Sequence, residues 1–194
     1  MNSWNDDSGD WQGLNSDAQG PRYLAIRHLI ERFCPDGSIL DVGCGEAVLW
    51  DYLPRHIRYR GIEPSAKAAE IARAKCACDH TTSETFSAGE SRWDAIVFNE
   101  MLYYSRDPVA LLKKYASLLA PDGIFLISIY QKQDSLRARF TRHMTNAKCT
   151  RLVLRFMTQE NWTIKEDQLV PRPGSSEFWR MWVAKPGPKG VRPK

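Results

Sequence analysis

The sequence has no long hydrophobic run, and this absence excludes a helical membrane span. The longest apolar stretch, residues 124–129, is interrupted by Ser128, whereas a helix needs about 20 apolar residues to cross a bilayer. Residues 1–7 are polar and acidic, so they have no apolar segment of the kind a secretory signal needs. We therefore expect a protein of the cytoplasm without a membrane partner.

The sequence also has few residues that could form disulfides or bind a metal. Its five cysteines cannot all pair, and without an export signal we expect reduced thiols. Cys76, Cys78 and His80 lie close together, but ligands two residues apart rarely complete a tetrahedral site. No metal is predicted.

Extremes of composition are absent as well. With 194 residues, 43% hydrophobic and 26% charged, the chain is typical of one globular domain rather than a disordered protein. The net charge of +4 conceals an asymmetry, because residues 131–194 hold 14 Lys and Arg against five Asp and Glu. Such a basic third is compatible with an anionic substrate, a nucleic acid or a solvated surface.

Three segments are predicted along the chain. Residues 1–22 are polar, with Trp4 and Trp11 as apolar anchors, and are predicted to be a lid or a flexible segment. Residues 23–185 are predicted to form the folded domain. Residues 186–194, rich in Pro, Gly and Lys, are predicted to be a disordered basic tail.

Between the ends, helical and strand patterns alternate. Helices are predicted over residues 23–33, 47–53, 66–74 and 108 to about 119, and strands over 38–42, 59–62, 79–82, 94–99, 124–130, 162–169 and 178–184. This alternation predicts an α/β fold with a doubly wound, mostly parallel seven-stranded sheet and an antiparallel last strand. We also expect Trp179 and Trp182 to share one face of that last strand as core residues.

A glycine-rich turn follows the first strand. Asp41 lies near the end of that strand, and Gly43 and Gly45 let the backbone approach a ligand at the start of a helix. A dinucleotide site would have a third glycine where Val48 stands. The turn therefore argues against NAD or FAD as the ligand.

Acidic and amide side chains end two further strands. Glu63 ends the second strand, where an acid can accept hydrogen bonds from both hydroxyls of a ribose. Asn99 ends the strand at 94–99, and Glu100 follows it. The carboxyl ends of neighbouring parallel strands meet at one edge, where open α/β sheets bind ligands.

These motifs resemble those of class I S-adenosylmethionine-dependent methyltransferases that act on small molecules. Residues 41–45 (DVGCG), Glu63, residues 94–104 and residues 118–123 match the family's motifs in order and spacing, and the resemblance covers residues 23–184. It implies a Rossmann-like methyltransferase fold, S-adenosylmethionine as cofactor and a small-molecule acceptor.

The resemblance also implies a set of cofactor-binding residues: Asp41, Gly43, Cys44, Gly45, Glu63, Pro64, Ser83, Glu84 and Asn99. Asp41 would accept a hydrogen bond from the methionine amino group through its surroundings, and Asn99 would face the sulfonium. Ser83 and Glu84 are the best match in this sequence to the acidic residue that often contacts adenine in the family. Ala47 replaces the family's third glycine, a change that is tolerable if this residue is already helical.

Methyl transfer from a sulfonium mainly requires alignment of the acceptor with the methyl group and exclusion of water. A general base helps when the acceptor is a hydroxyl or a protonated amine. Glu100, Tyr104 and His143 are the candidate catalytic residues. The N-terminal segment and residues 131–149 are expected to form the acceptor pocket, where Arg137, Arg139 and Arg142 favour a neutral or anionic acceptor.

Two alternatives remain open from the sequence. The basic C-terminal third fits methylation of RNA, although the chain has no appended RNA-binding module and no Asn-Pro-Pro-Tyr type motif after the strand at 94–99. The chain could also be a silent cofactor-binding subunit that completes a partner. Nucleic acid is not the expected partner, and the oligomeric state is left open.

Overall fold

A computed structural model describes residues 16–131 and 145–187. The helices are α1 (Gly20–Phe33), α2 (Val48–Tyr52), α3 (Ala66–Arg73), α4 (Pro108–Ala116) and α5 (Asn146–Gln159), with short 3₁₀ turns at Asp17–Gln19 and Leu102–Tyr104. The strands are β1 (Ser38–Val42), β2 (Arg58–Glu63), β3 (Ala77–His80), β4 (Trp93–Asn99), β5 (Leu119–Gln131), β6 (Trp162–Pro171) and β7 (Phe178–Pro186). Within the described ranges no helix is long and apolar enough to cross a membrane.

The strands form one seven-stranded sheet in the order β3-β2-β1-β4-β5-β7-β6. Strands β1 to β5 pair in parallel, and β7 is antiparallel to both β5 and β6. Six strands therefore run one way and β7 runs the other, which confirms the predicted fold class. The chain order reverses between β1 and β4, and this switch point is where such sheets bind ligands.

The core lies on both faces of the sheet. In β1, Ile39 packs with α1, α2 and α3 on one face, and Leu40 packs with α4 and α5 on the other. All five residues of β1 are buried, as expected for a central parallel strand covered by helices on both sides.

The two tryptophans of β7 are buried, but they do not share a face. Trp179 belongs to the cluster with α1, and Trp182 belongs to the cluster with α5. Residues three apart in a strand point to opposite sides, so the expectation of a shared face is wrong. Their assignment to the core is confirmed.

Side-chain caps fix the starts of two helices as their sequences predict. Ser65 Oγ accepts a hydrogen bond from Ala68 N at the start of α3, and Asp107 Oδ1 accepts one from Ala110 N at the start of α4. Pro108 takes the first helical position of α4, where its missing N–H costs nothing.

The junction between α4 and β5 differs from the prediction. Helix α4 ends at Ala116 and β5 already begins at Leu119, so residues 121–123, which lie between the predicted helix and the predicted strand, are inside the strand. Asp122 has a φ of 68°, and the register with β4 shifts between Trp93 and Ala95. The Pro-Asp-Gly segment is therefore an irregularity within a strand, of the kind a β-bulge produces.

Helix α5 is an element that the sequence analysis did not predict. Its buried residues include Cys149, Val153, Phe156 and Met157, whose spacing of four, three and one forms an amphipathic stripe. Thr145 Oγ1 caps it by accepting a hydrogen bond from Lys148 N. Part of the segment predicted to form the acceptor pocket is thus a helix packed on the sheet.

The predicted segment boundaries fall inside regular elements. Helix α1 begins at Gly20, so the division between residues 22 and 23 cuts its first turn. Strand β7 extends to Pro186, and Gly187 N donates a hydrogen bond to Asn161 O. Residues 1–15 of the expected lid and residues 188–194 of the expected tail lie outside the described residues.

Candidate active site

A cavity of about 1270 Å³ opens at the carboxyl ends of the parallel strands. Pockets for one ligand usually measure about 300–1,000 Å³, so this one has room for a cofactor and an acceptor. The sequence-predicted residues on its wall are Gly43, Cys44, Gly45, Glu63, Pro64, Ser83, Glu84, Asn99, Glu100 and Tyr104. Asp41 lies behind this wall, and His143 lies outside the described residues.

The glycine turn is tight and has a left-handed backbone. Gly43 has a φ of 73° and Gly45 a φ of 56°, a region that glycine enters at the least cost. A Cβ added to Gly43 would lie 3.0 Å from Met101 Cβ. The amides of Gly43 and Cys44 both donate to Ile62 O, which holds the turn against the end of β2.

Ala47, the residue in the place of the family's third glycine, is not helical. Its φ is 55°, and it precedes the first residue of α2. The expectation that this position is already helical is therefore wrong, because the chain takes a left-handed turn here before the helix begins. Glycine adopts that conformation without strain, and the alanine methyl is instead buried in the core.

Glu63 is a buried acid at the end of β2, with 3% of its surface exposed. Oε2 accepts a hydrogen bond from Gly45 N at 2.9 Å, and Oε1 accepts one from Ser65 N at 2.9 Å. Burial raises the pKa of Glu63, although the two backbone bonds oppose this. Each oxygen keeps a second lone pair, so the carboxylate can accept from two hydroxyls side by side.

Two buried oxygen atoms near the glycine turn lack a hydrogen-bond partner within the described part of the chain. One is Oδ1 of Asp41 and the other is Oδ1 of Asn99. The second oxygen of Asp41 accepts a bond from the Tyr59 hydroxyl at 2.7 Å. Unpaired buried acceptors are rare in native proteins, and these two fit a ligand that carries hydrogen-bond donors.

The Asp41 carboxyl is almost completely buried, with 1% of its surface exposed. Burial raises its pKa to about 7, against the opposing effects of the Tyr59 hydrogen bond and the Arg22 charge. The group therefore changes its charge near neutral pH, which an exposed aspartate does not do.

Glu100 is held in a strained backbone position after β4, with a φ of 62°. Oε1 accepts from Ser128 Oγ at 2.7 Å, while Oε2 accepts from Tyr130 N at 3.0 Å and from Tyr103 OH at 3.2 Å. Burial raises its pKa despite these bonds. The carboxylate thus joins the ends of β4 and β5, and its position on the cavity wall is fixed.

The loop after β3 is tied to α4. Lys114 Nζ donates to Ser83 O at 3.0 Å and to Glu84 O at 2.7 Å, and the Tyr115 hydroxyl donates to Ser83 O at 3.0 Å. These bonds hold Ser83 and Glu84 at the cavity wall beside Pro64.

Arg22 is a cavity residue that the sequence analysis missed. It is 3% exposed, and its guanidinium lies 4.6 Å from the ring centre of Tyr23 and 5.5 Å from that of Trp179. Within residues 16–131 and 145–187, no carboxylate forms an ion pair with it, and its Nε has no partner. The helical spacing of the sequence could have indicated its burial, because Arg22 lies four residues before Ile26 on the apolar face of α1.

Tyr103 and Tyr104 also line the cavity. Their ring centres are 4.6 Å apart, and Tyr104 is 48% exposed. Tyr104 is therefore not a core residue and is accessible from the cavity.

A doubly wound sheet with antiparallel β7 between β5 and β6, a glycine turn after β1 and a buried acid at the end of β2 is the arrangement expected of a methyltransferase of the Rossmann-like class. A family model described as a methyltransferase domain matches residues 17–183. The chain belongs to this family, which confirms the resemblance noted from the motifs.

Curated relatives match the chain in part. The ubiquinone biosynthesis O-methyltransferase of Actinobacillus pleuropneumoniae is 30% identical over 104 residues, which are 47% of this chain and 44% of that protein. The enzyme of the same description from Parvibaculum lavamentivorans is 31% identical over 101 residues, which are 48% of this chain and 40% of that protein. The matched part is less than half the length of these relatives.

Solved structures share the fold over most of the chain. The 1,6-didemethyltoxoflavin-N1-methyltransferase of Burkholderia thailandensis, with 1,6-didemethyltoxoflavin and S-adenosylhomocysteine bound, has a TM-score of 0.68 at 21% identity, over 95% of this chain and 84% of that one. The N-methyltransferase NodS of Bradyrhizobium japonicum, with S-adenosylhomocysteine bound, has a TM-score of 0.69 at 19% identity, over 92% of each chain.

Proposed function

We propose that this protein transfers a methyl group from S-adenosylmethionine to a small-molecule acceptor. The observation that carries the proposal is Glu63, a buried carboxylate whose inner lone pairs are occupied by the amides of Gly45 and Ser65 while the side chain still lines the cavity. This arrangement suits the paired hydroxyls of a ribose at the switch point of the sheet.

The other cofactor contacts follow from the wall of the cavity. The turn formed by Gly43, Cys44 and Gly45 would hold the methionine portion, and Pro64 with the Ser83–Glu84 loop would hold adenine. The unpaired oxygens of Asp41 and Asn99 would accept hydrogen bonds from the ammonium group of the methionine portion. Asn99 lies on the cavity wall, and Asp41 lies behind it. Asn99 would also lie beside the sulfonium.

Arg22 would bind the methionine carboxylate. It is a buried cation on the cavity wall, and a guanidinium pairs with a carboxylate through two parallel hydrogen bonds. Its Nη2 donates a hydrogen bond to Tyr23 OH at 2.8 Å, and its guanidinium lies beside the Tyr23 and Trp179 rings, so contacts within the chain position it before the cofactor binds.

The cofactor supplies an electrophilic methyl group bonded to a sulfonium sulfur. The chain contributes binding, orientation and exclusion of water, and orientation alone can lower the barrier by roughly 7–11 kcal/mol. Glu100 is the first candidate for a base, because it lies on the cavity wall and burial raises its pKa, which makes its carboxylate a stronger base than an exposed one. Tyr104 and His143 remain further candidates.

We also propose that the protein works in the cytoplasm. All five cysteines are free thiols, and Cys44 Sγ lies 3.7 Å from Cys78 Sγ without a bond between them. Free thiols at this separation are compatible with a reducing compartment.

Transfer of tritium from methyl-labelled cofactor to a cell extract tests the activity. Label in small molecules supports the proposal. Label in RNA would replace the proposed acceptor class with RNA. S-adenosylhomocysteine binding without any transfer would instead support a silent subunit.

The assignment of Arg22 makes a separate prediction. Replacing Arg22 with methionine is expected to weaken S-adenosylhomocysteine binding about tenfold, since a charge-assisted pair is lost. Methylthioadenosine has no methionine carboxylate, so calorimetry should give it the same affinity for both proteins. Arg27→Met, which removes an exposed arginine of the same helix, is the control and should change neither affinity. Equal losses for both ligands would contradict the assignment.

A further inference from the structure

The cavity continues beyond the residues assigned to the cofactor. Tyr130 near the end of β5, Trp179 in β7 and Arg172 just after β6 also line it. Strands β1 and β7 are three positions apart in the sheet, which corresponds to roughly 14 Å. This second half of the cavity is therefore separate from the glycine turn and is available for the acceptor.

Two aromatic rings and Arg172 form the wall of this half, and Arg22, which we assign to the cofactor, lies at its border. Arg22 lies 5.5 Å from the Trp179 ring, the Trp179 and Tyr130 rings are 6.1 Å apart, and Arg172 lies 5.8 Å from the Tyr130 ring. Aromatic rings pack well against other flat rings. A wall of this composition favours a planar ligand.

Arg172 keeps part of its hydrogen-bonding capacity. Its Nη1 donates to Tyr130 OH at 2.9 Å and to Glu177 Oε2 at 3.0 Å, and the Tyr130 hydroxyl donates to Glu177. Nη2 and Nε make no hydrogen bond to the described residues, and 35% of the side chain is exposed.

Glu177 therefore orients one side of the guanidinium and leaves the other side unpaired. The planar fork of an arginine matches a carboxylate with two parallel bonds. Because Glu177 already offsets part of the charge, an incoming anion must compete with it, and removing Glu177 should strengthen anion binding.

We propose that the methyl acceptor is a planar aromatic ring that carries a carboxylate. Arg172 binds the carboxylate, and Tyr130 and Trp179 pack against the ring. This inference rests on the proposed methyltransferase function and narrows its acceptor to one chemical class.

The test compares matched ring compounds bound to the full-length protein saturated with S-adenosylhomocysteine. Protocatechuate, a catechol with a carboxylate, its neutral amide and the ammonium-bearing catechol dopamine are titrated by calorimetry. Protocatechuate is expected to bind at least about tenfold more tightly than the amide, and dopamine more weakly than either.

Two variants probe Arg172 in opposite directions. Arg172→Gln should bring the ratio of carboxylate to amide affinity close to one, whereas Glu177→Gln should raise it above that of the wild type. Arg180→Gln is the matched control, because Arg180 pairs with Asp167 through two bonds away from the cavity. Unchanged affinity for S-adenosylhomocysteine shows that each variant is folded.

Several results would overturn the inference. It fails if the wild type binds the carboxylate and the amide equally, if dopamine binds best, if no ring binds, or if Arg172→Gln leaves the ratio unchanged. A protein that does not bind S-adenosylhomocysteine would contradict the proposed function itself. The two failures are thereby distinguishable.

Discussion

Replacing Glu63 with glutamine is expected to weaken S-adenosylhomocysteine binding about 100-fold. The two carboxylate oxygens accept from the amides of Gly45 and Ser65 and offer their remaining lone pairs to the ribose. Glutamine replaces one oxygen by an NH₂ group that faces an amide donor and cannot accept from a hydroxyl. Each hydrogen bond to a charged group contributes roughly 1.5–3 kcal/mol, and the upper end of this range corresponds to a loss of about 100-fold.

Calorimetry with S-adenosylhomocysteine and with methylthioadenosine measures this effect. Both ligands contain the ribose, so both should weaken, in contrast to the pattern expected for Arg22→Met. Glu70→Gln is the control, because Glu70 is an exposed residue of α3. If Glu63→Gln binds both ligands as the wild type does, the ribose assignment is wrong.

The strands near the switch point could be predicted because their signals are local. Strand β1 has the predicted bounds, and β4 begins one residue earlier than predicted, since continuous apolar runs between turn residues indicate buried parallel strands. The start of β5 could not be predicted in this way. Its first residues pair with Trp93, a contact distant in sequence, and this pairing overrides the turn preference of Pro-Asp-Gly.

The site could be predicted where it follows the ends of strands and not where it depends on packing between elements. Glu63 is at a strand end, and its position on the cavity wall follows from the parallel sheet. Arg22 becomes a cavity residue only because α1 packs against Trp179 of β7. Ala47 shows a similar limit, since alanine has the highest intrinsic helix propensity, while the turn after Gly45 places this residue in the left-handed region.

Asp41 creates a conflict between stability and binding. Its pKa is about 7 in the folded protein, mainly because of burial, and about 3.9 in an unfolded chain. Between these values the unfolded state loses the proton first, so the free energy of unfolding falls as the pH rises from 4 to 7. Above pH 7 the ionised Asp41 lowers the free energy of unfolding by its full amount, at most about 4 kcal/mol.

Asp41→Asn is therefore expected to be more stable than the wild type at pH 8, by up to about 4 kcal/mol, and nearly equal at pH 4. The amide oxygen can still accept from the Tyr59 hydroxyl, so the variant removes the charge and keeps the hydrogen bond. Urea unfolding of both proteins across this range isolates the contribution of Asp41, because other carboxyl groups cancel in the difference.

Asp94→Asn serves as a control in which the expected change in the free energy of unfolding has the opposite sign. Burial alone would raise the pKa of Asp94, but two hydrogen bonds from Ser38 outweigh it and lower the pKa. A carboxyl with a lowered pKa stabilises the fold above its unfolded pKa, and this contribution is lost as the pH falls toward the folded value. Asp94→Asn should therefore be less stable than the wild type at pH 8, with a difference that shrinks in acid.

Cofactor binding tests whether the buried charge of Asp41, which lowers the stability of the fold, contributes to the binding of the methionine ammonium. If its unpaired oxygen meets the methionine ammonium, Asp41→Asn should bind S-adenosylhomocysteine about tenfold more weakly at pH 8 and methylthioadenosine unchanged. A purely structural acid would give the gain in stability without this selective loss. A variant that gains stability and retains full affinity would show that the ammonium is bound elsewhere, with Asn99 and Gln19 as the described cavity-wall residues that have an unpaired acceptor oxygen.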